Sequence, residues 1–575
     1  MKKIYNEILL LIGRTNFIYL IFLSISLIFL SLLEFIGIGS IPVFLSVIID
    51  PNIISEHINS PYIINIINKY EKSQLILFSS IIIIGVFLVK NLIYVLIVYF
   101  QGILTKRVKL YLSSKIYKKY LDSNYLEFIN KNSAVMIRTL NMDVGNTSIF
   151  VLNIINLMRE TTIFLAICIL LFIASPFISL TMLIFFGIIS LLFFLKTHKK
   201  IFTQGSSLQF LTSEKIKIIN NTIGSIKEVK IFKLENYLKK IFFDNAKRYE
   251  KFAFKNYLIK LMPRVILEIG AVSGIMIIVV FYVILEKNIL GLLPLLSLIV
   301  VSMIRIVPGL NLIQNSISTL KTILPSYNHI LSELLRVREN PKNDRLIENK
   351  KLINFNKEIF LDNIKFKYKK DTGLILNKIN LKISKGDKIG IIGKSGSGKT
   401  TLVSILLGLI ENYDGNLIID NKEITFSNYE WNNNVGYVPQ DIFLIEDTIK
   451  NNITFGINEK DIDISSLHEA SKKAQIFDYI QLLPKNFDTI IGERGLNLSA
   501  GQKQRLGIAR ALYRKPELLI LDESTSSLDF DTEEKFINDV FSYSDDKTII
   551  FISHKASALK KCDKIYDLNQ KNFVK

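Results

Sequence analysis

Eight consecutive residues, Gly393, Lys394, Ser395, Gly396, Ser397, Gly398, Lys399 and Thr400, have the types and spacing to hold a chain of phosphates. In the pattern G-x-x-x-x-G-K-[ST] the backbone N–H groups wrap phosphate oxygens. The lysine reaches the terminal phosphates, and the threonine hydroxyl helps hold Mg²⁺. Further along, Glu517-Leu-Leu-Ile-Leu-Asp522-Glu523 is an apolar run ending in two carboxylates, the pattern of a buried strand that carries acids at its C-terminal tip. A second apolar run from Thr548 leads to His554, and Val435-Gly-Tyr-Val438 precedes Pro439-Gln440. Phosphoryl transfer to water needs growing negative charge neutralised and a water held in line, and these residue types supply both. Singly, each has a plainer explanation: Asp-Glu after an apolar run arises by chance, and a lone histidine is ordinarily a packing or surface residue. Their order and spacing along one stretch of chain carry the inference.

Leu498-Ser499-Ala500-Gly501-Gln502 narrows it, because it resembles the signature sequence of the ABC (ATP-binding cassette) ATPases. The resemblance extends through residues 360–560 and assigns roles position by position. Asp522 is similar to the aspartate that orders Mg²⁺, together with Thr400 and Gln440. Glu523 resembles the glutamate that polarises the attacking water, with His554 contacting the γ-phosphate and Gln440 in the loop that joins nucleotide to membrane domain. Tyr368 stands where the family stacks an aromatic on adenine, and Thr401 follows the phosphate loop. Ser527-Leu-Asp529 resembles the D-loop, and Gly492-Glu-Arg-Gly495 the X-loop of ABC exporters. Two departures are small: Ala500 replaces the commoner Gly, and Ser526-Ser527 the commoner Ser-Ala. In the family one ATP lies between the phosphate loop of one cassette and the signature loop of another. Ser499, Gly501, Gln502 and Asp529 would then complete a second copy's site. One cassette per chain implies a homodimer, or a heterodimer with another half-transporter.

The 575 residues are too many for one core. The chain is 49% hydrophobic, with a mean hydropathy of +0.33, and the apolar residues concentrate before about residue 325. We expect a membrane domain over 1–325, a linker over 326–355 and a cassette over 356–575. The fold class expected is an α-helical six-span transmembrane domain followed by an α/β P-loop cassette, the type IV ABC exporter architecture. A net charge of +20 raises nucleic-acid binding, but Lys and Arg are spread over loops beside apolar spans, so no nucleic-acid partner is expected. Cys168 and Cys562 lie in different domains and imply neither a disulfide framework nor a metal cluster.

About 20 apolar residues cross a bilayer as a helix, which predicts spans at 16–46, 75–100, 147–174, 177–196, 262–285 and 290–322. The first residues lack a small-residue cleavage site and read as an amphipathic helix on the membrane surface. Segment 101–146 carries Lys106, Arg107, Lys109, Lys115, Lys118, Lys119, Lys131 and Arg138, and 197–261 is richer still. Lys69, Lys72 and Lys287 alone mark the opposite side. Both long loops, both termini and the cassette are therefore expected in the cytoplasm of a multi-pass inner-membrane protein. Coupling helices are expected near Tyr125–Ser133 and Thr222–Ile231.

The stretch from Asp50-Pro51 to Tyr70 has isoleucines at helical spacing and reads as a short outer helix against the membrane lipid. With Leu33–Pro42 and Met262–Glu268, it resembles the lipid-linked oligosaccharide flippases of bacterial protein N-glycosylation. That resemblance implies ATP-driven flipping of a lipid-linked oligosaccharide. Export of a peptide, a drug or another lipid is the alternative, and outside transport a membrane-bound regulatory ATPase. The start at the first span, without a peptidase domain, weighs against a processing bacteriocin exporter. Glu34, Lys90, Arg264, Glu268 and Arg305 fall at or near membrane depth, where ionisable groups are costly and usually functional. Arg264 and Arg305 either line a cavity and bind a pyrophosphate, or pair with Glu34 and Glu268 to fix helix packing or snorkel.

Overall fold

The computed structural model describes residues 2–49, 69–284, 289–339, 351–368, 373–424, 429–492, 498–523, 534–535, 537–538, 540–541, 547–553 and 559–575. They form two compact units, Met1–Asp122 with Asn130–Asn340, and Ser123–Ile129 with Pro341–Lys575.

The first unit is helical. It contains α1 (Lys2–Ile12), α2 (Arg14–Ile49) and α3 (Lys72–Asp122); α4 (Tyr125–Ile129) belongs to the second unit. Next come α5 (Ser133–Arg138), α6 (Val144–Ala174), α7 (Pro176–Gly224), α8 (Ile226–Ile231), α9 (Glu235–Ile284) and α10 (Ile289–Glu339). Isoleucine-rich runs are weak helix formers in water, but where no water can satisfy the backbone a helix keeps every amide bonded within itself. The apolar faces accordingly turn outward: Ile82, Leu88, Leu92 and Val95 of α3 are all exposed. Among the described residues four helices are long and apolar enough to cross a membrane, Arg14–Ile49, Lys72–Asp122, Ser133–Ala174 and Leu293–Leu335. The two remaining expected spans, 177–196 and 262–285, fall in the long helices α7 and α9. At 51 residues, α3 is about 76 Å long against about 30 Å of hydrocarbon, so more than half of it projects beyond a bilayer.

The core of this unit runs through Leu23, Leu27 and Leu30 of α2, Leu104 and Val108 of α3, Ile155 and Ile163 of α6, and Met303 and Ile306 of α10. Helix α10 does not stop at residue 325, where the sequence placed the end of the membrane domain. It runs to Glu339 because Ile330 and Leu334 are buried in the same core. Residues 340–350 lie outside the described set, as does the expected outer helix over 50–68.

Small residues let helix backbones meet, and Gly205 on α7 is the clearest case: a Cβ there would overlap the backbone carbonyl of Thr322 on α10. Gly→Ala in a helix interior ordinarily gains about 1 kcal/mol. Here the obstacle is backbone, which cannot rotate aside, so overpacking of about 1–3 kcal/mol prevails. Gly205→Ala should lower the melting temperature of the detergent-solubilised protein; an unchanged or raised value would refute the close contact.

In the second unit, β1 (Lys351–Leu352) pairs with β7 (Tyr429–Glu430). A four-stranded antiparallel sheet has the order β3-β2-β5-β6, formed by β2 (Glu358–Phe366), β3 (Leu376–Ser384), β5 (Asp414–Ile419) and β6 (Lys422–Glu423). The main sheet contains β4 (Lys388–Ile392), β8 (Val435–Val438), β9 (Leu518–Asp522), β10 (Thr548–Ile552), β11 (Lys564–Asp567) and β12 (Asn572–Phe573), in the order β12-β11-β4-β10-β9-β8. All neighbours in it are parallel except β11 and β12. Strands β9 and β10 are buried at every residue, which explains their unbroken apolar runs. Helix α4 is counted here because Leu126 packs on the cassette core. Of the two expected coupling segments, Tyr125–Ser133 contains α4 and the first residue of α5, and Thr222–Ile231 contains the end of α7 and all of α8.

Candidate functional site

In a parallel sheet of this kind ligands gather at the carboxyl ends of the strands. The phosphate loop leaves β4 there and Asp522 ends β9, with β10 lying between the two strands. The loop turns at Gly398, whose φ of 98° suits glycine, and where a Cβ would stand 2.7 Å from Leu376 Cδ2. Helix α11 (Lys399–Leu406) starts at once, so its first-turn backbone N–H groups and positive dipole end face the loop. Lys399 is buried, and its Nζ donates to the carbonyls of Gly393 (2.7 Å) and Lys394 (3.3 Å). Ser397 Oγ is buried without a hydrogen-bond partner among the described residues. A loop of glycines, a held ammonium and an orphaned hydroxyl fits a polyphosphate.

Thr400 is exposed beside this loop, while the buried Thr401 bonds through Oγ1 to the Tyr368 hydroxyl at 3.1 Å. Tyr368 is 45% exposed, its ring edge-on to Phe366 with centroids 5.0 Å apart.

Asp522 is buried at the tip of β9, and burial and the charge of Glu523 raise its pKa above the ordinary carboxylate value. A divalent cation would relieve that cost. One carboxylate, a hydroxyl and an amide with phosphate oxygens is a donor set suited to Mg²⁺, which keeps much of its water. Glu523 sits in the left-handed region at φ 48°, its N–H bonded to the Ile552 carbonyl at 3.0 Å. Its Oε2 accepts from Gln440 Nε2 at 2.8 Å. The sequence named both residues without joining them; the structure joins them. Asp529, His554, Glu493, Arg494, Gly495, Ser526 and Ser527 lie outside the described residues.

Ser499 caps helix α12 (Ala500–Tyr513) through a reciprocal box: Gln502 N–H donates to Ser499 Oγ (3.2 Å), and Ser499 N–H to Gln502 Oε1 (2.9 Å). The signature residues therefore form a stiff helix start with open N–H groups. Among the described residues no hydrogen bond joins Ser499, Gly501 or Gln502 to the phosphate loop of the same chain.

A second polar cluster lies in the helical unit. Glu34 accepts from Lys90 (2.9 Å) and Arg305 (3.0 Å), and Arg305 also pairs with Glu160 (3.3 Å). Arg159 donates to Glu160 (2.9 Å) and to Gln101 (3.1 Å). The cluster joins α2, α3, α6 and α10. Of the two arginines singled out from sequence, Arg305 belongs to it; Arg264 is exposed and pairs along α9 with Glu268 at 2.8 Å. Pairing is therefore what the structure shows for both. The sequence reading missed Gln101, Arg159 and Glu160, although an Arg-Glu pair inside an apolar span was a visible signal.

Residues 376–526 match the sequence model of the ABC transporter family. A leukotoxin export ATP-binding protein of Aggregatibacter actinomycetemcomitans is 37% identical over 218 residues, 38% of this chain and 31% of that protein. An alpha-hemolysin translocation ATP-binding protein of Escherichia coli O157:H7 is 38% identical over 209 residues, 36% of this chain and 29% of that protein. A relative from Bacillus subtilis (strain 168), named for multidrug export, is 38% identical over 204 residues, 35% of each chain. The matches thus span about a third of the curated relatives' length. The solved structure of a bacterial Atm1-family ABC exporter with ATP bound superposes with a TM-score of 0.76, covering 96% of this chain and 94% of that one at 19% identity. The chain has the ABC exporter fold. The relatives matched by the cassette are named for toxins and drugs, so the oligosaccharide expectation rests on the sequence resemblance of the stretches Leu33–Pro42, 50–70 and Met262–Glu268 alone.

Proposed function

We propose that this chain is one half of a homodimeric, ATP-driven exporter that flips a lipid-linked oligosaccharide across the cytoplasmic membrane, cassettes inward. The observation that carries the ATPase part is the 2.8 Å bond that holds Glu523 by Gln440 at the strand tips beside the phosphate loop. Lys399, the loop amides and Ser397 bind the phosphates, and Tyr368 takes the adenine. Thr400, Gln440 and Asp522 would hold Mg²⁺, which when bound would offset charge on the phosphate oxygens. Glu523 receives the proton of the attacking water, and His554 contacts the γ-phosphate. The capped signature helix, open toward solvent in its own chain, would close on a second copy's nucleotide together with Asp529. Helix α4, packed into the cassette, carries that closure to the membrane helices by alternating access. The positively charged cluster around Arg305 supports an anionic headgroup as substrate; Arg264 would contribute if the partner copy covers it.

The test is flipping in proteoliposomes with cassettes outward, followed by ATP-dependent loss of lipid-linked oligosaccharide from an external glycan-modifying enzyme. Loss with wild type and none with Glu523→Gln is expected. Robust ATPase with no loss would move the substrate to a peptide, drug or other lipid, the reading that the cassette relatives favour.

A further inference from the structure

About 25 Å down α10 from Arg305, at about 1.5 Å per residue, the helical unit holds a cavity of about 190 Å³ between the α5–α6 segment, α7, α9 and α10. Its volume equals about six waters, room for one pyranose ring. Between α5 and α6 the helix widens into a π turn at Thr139–Asp143, a local irregularity that often marks a functional site. Asp143, 1% exposed, organises the lining. It pairs with Arg138 (3.1 Å), and its Oδ1 accepts from Ser326 Oγ (2.8 Å) and Gln209 Nε2 (3.2 Å). Asn146 Nδ2 donates in turn to Ser326 Oγ at 3.1 Å.

These bonds fix which atoms are left. A carboxylate only accepts, so the Gln209 amide shows it nitrogen and keeps its oxygen free. Asn146 likewise commits its nitrogen and keeps its oxygen. The Tyr249 hydroxyl, on the same cavity, has no hydrogen-bond partner among the described residues. Arg138 and Asp143 cancel each other's charge, so the site attracts neither anion nor cation. An apolar occupant would strand two amide oxygens and a phenol. What fits is an uncharged molecule dense in hydroxyl groups.

We propose that this cavity is a sugar subsite, taking one neutral hexose-sized unit of the transported glycan while its phosphates lie nearer Arg305. The proposal rests on the substrate reading above and deepens it. The test compares stimulation of ATPase by polyprenyl-pyrophosphate oligosaccharide and by sugar-free polyprenyl pyrophosphate, in wild type and in Asn146→Leu/Gln209→Leu. We expect the half-saturating concentration of the glycan-bearing lipid to rise about tenfold, as loss of two hydrogen bonds predicts, with that of the sugar-free lipid unmoved. Equal shifts for both lipids, or none, overturn the subsite. A second measurement stands apart from the substrate: maleimide labelling of Met142→Cys, on the cavity wall, read by mass spectrometry. Free neutral hexose oligosaccharide should slow labelling and a charged peptide of similar size should not. If neither lipid stimulates the wild type, the flippase reading falls, and protection by sugar alone still decides the cavity: protection sustains it and its absence overturns it.

Discussion

Glu523→Gln should lower steady-state ATP turnover by about 10²–10⁴-fold, the range for loss of a general base, while MgATP still binds. The two side chains have the same shape, and the amide can still bond Gln440, so the 2.8 Å contact of the native pair is replaced rather than left as a hole. The unusual backbone at φ 48° also tolerates Gln as well as Glu. Only the proton acceptor is removed. The variant should therefore trap two chains around ATP, visible as an ATP-dependent dimer of cassettes. Gln440→Ala leaves the carboxylate of Glu523 in place without its Gln440 bond and also removes a proposed Mg²⁺ ligand, so turnover should fall less, by about 10–10²-fold, and the Mg²⁺ requirement should rise. Turnover above a tenth of wild type in Glu523→Gln would remove Glu523 from the role of base.

The cassette was legible because its chemistry is local. The phosphate loop, the acids at the end of Leu518–Asp522 and the signature at Ser499 are each short strings whose residue types are dictated by phosphate and backbone geometry. That the phosphate loop and those acids meet follows from strand order, which length and periodicity do not state. The Gln440–Glu523 bond joins strings 83 positions apart, and no pattern within either string foretells it. In the membrane half, hydropathy placed six spans inside long helices, because bilayer thickness sets one length for all of them. It could not pair charges: Glu34 meets Arg305 across 271 positions. Nor could it foresee α10 running past residue 325, since the burial of Ile330 and Leu334 depends on neighbours from other helices.

Glu160→Leu should be the most damaging single change in the helical unit, costing about 3–5 kcal/mol, the range for stranding a buried charge. Glu160 is 1% exposed and faces two guanidinium groups, Arg159 at 2.9 Å and Arg305 at 3.3 Å. Its loss leaves both cations short of a counter-charge, with Glu34 already shared by Lys90. An ordinary interhelical hydrogen bond in a membrane protein is worth only about 0.6–2 kcal/mol, so the charge imbalance, not one lost contact, sets the size of the effect. Adding Arg305→Met removes one stranded cation and should recover about 1–3 kcal/mol, a coupling that a double-mutant cycle on thermal melts reads directly. Additive losses would mean that Arg305 does not depend on Glu160 in the resting protein. Strong coupling has a functional corollary: an anionic headgroup that reaches Arg305 must displace a carboxylate, so substrate binding would loosen α10 from α2 and α6, and Glu160→Leu should tighten headgroup binding even as it weakens the fold.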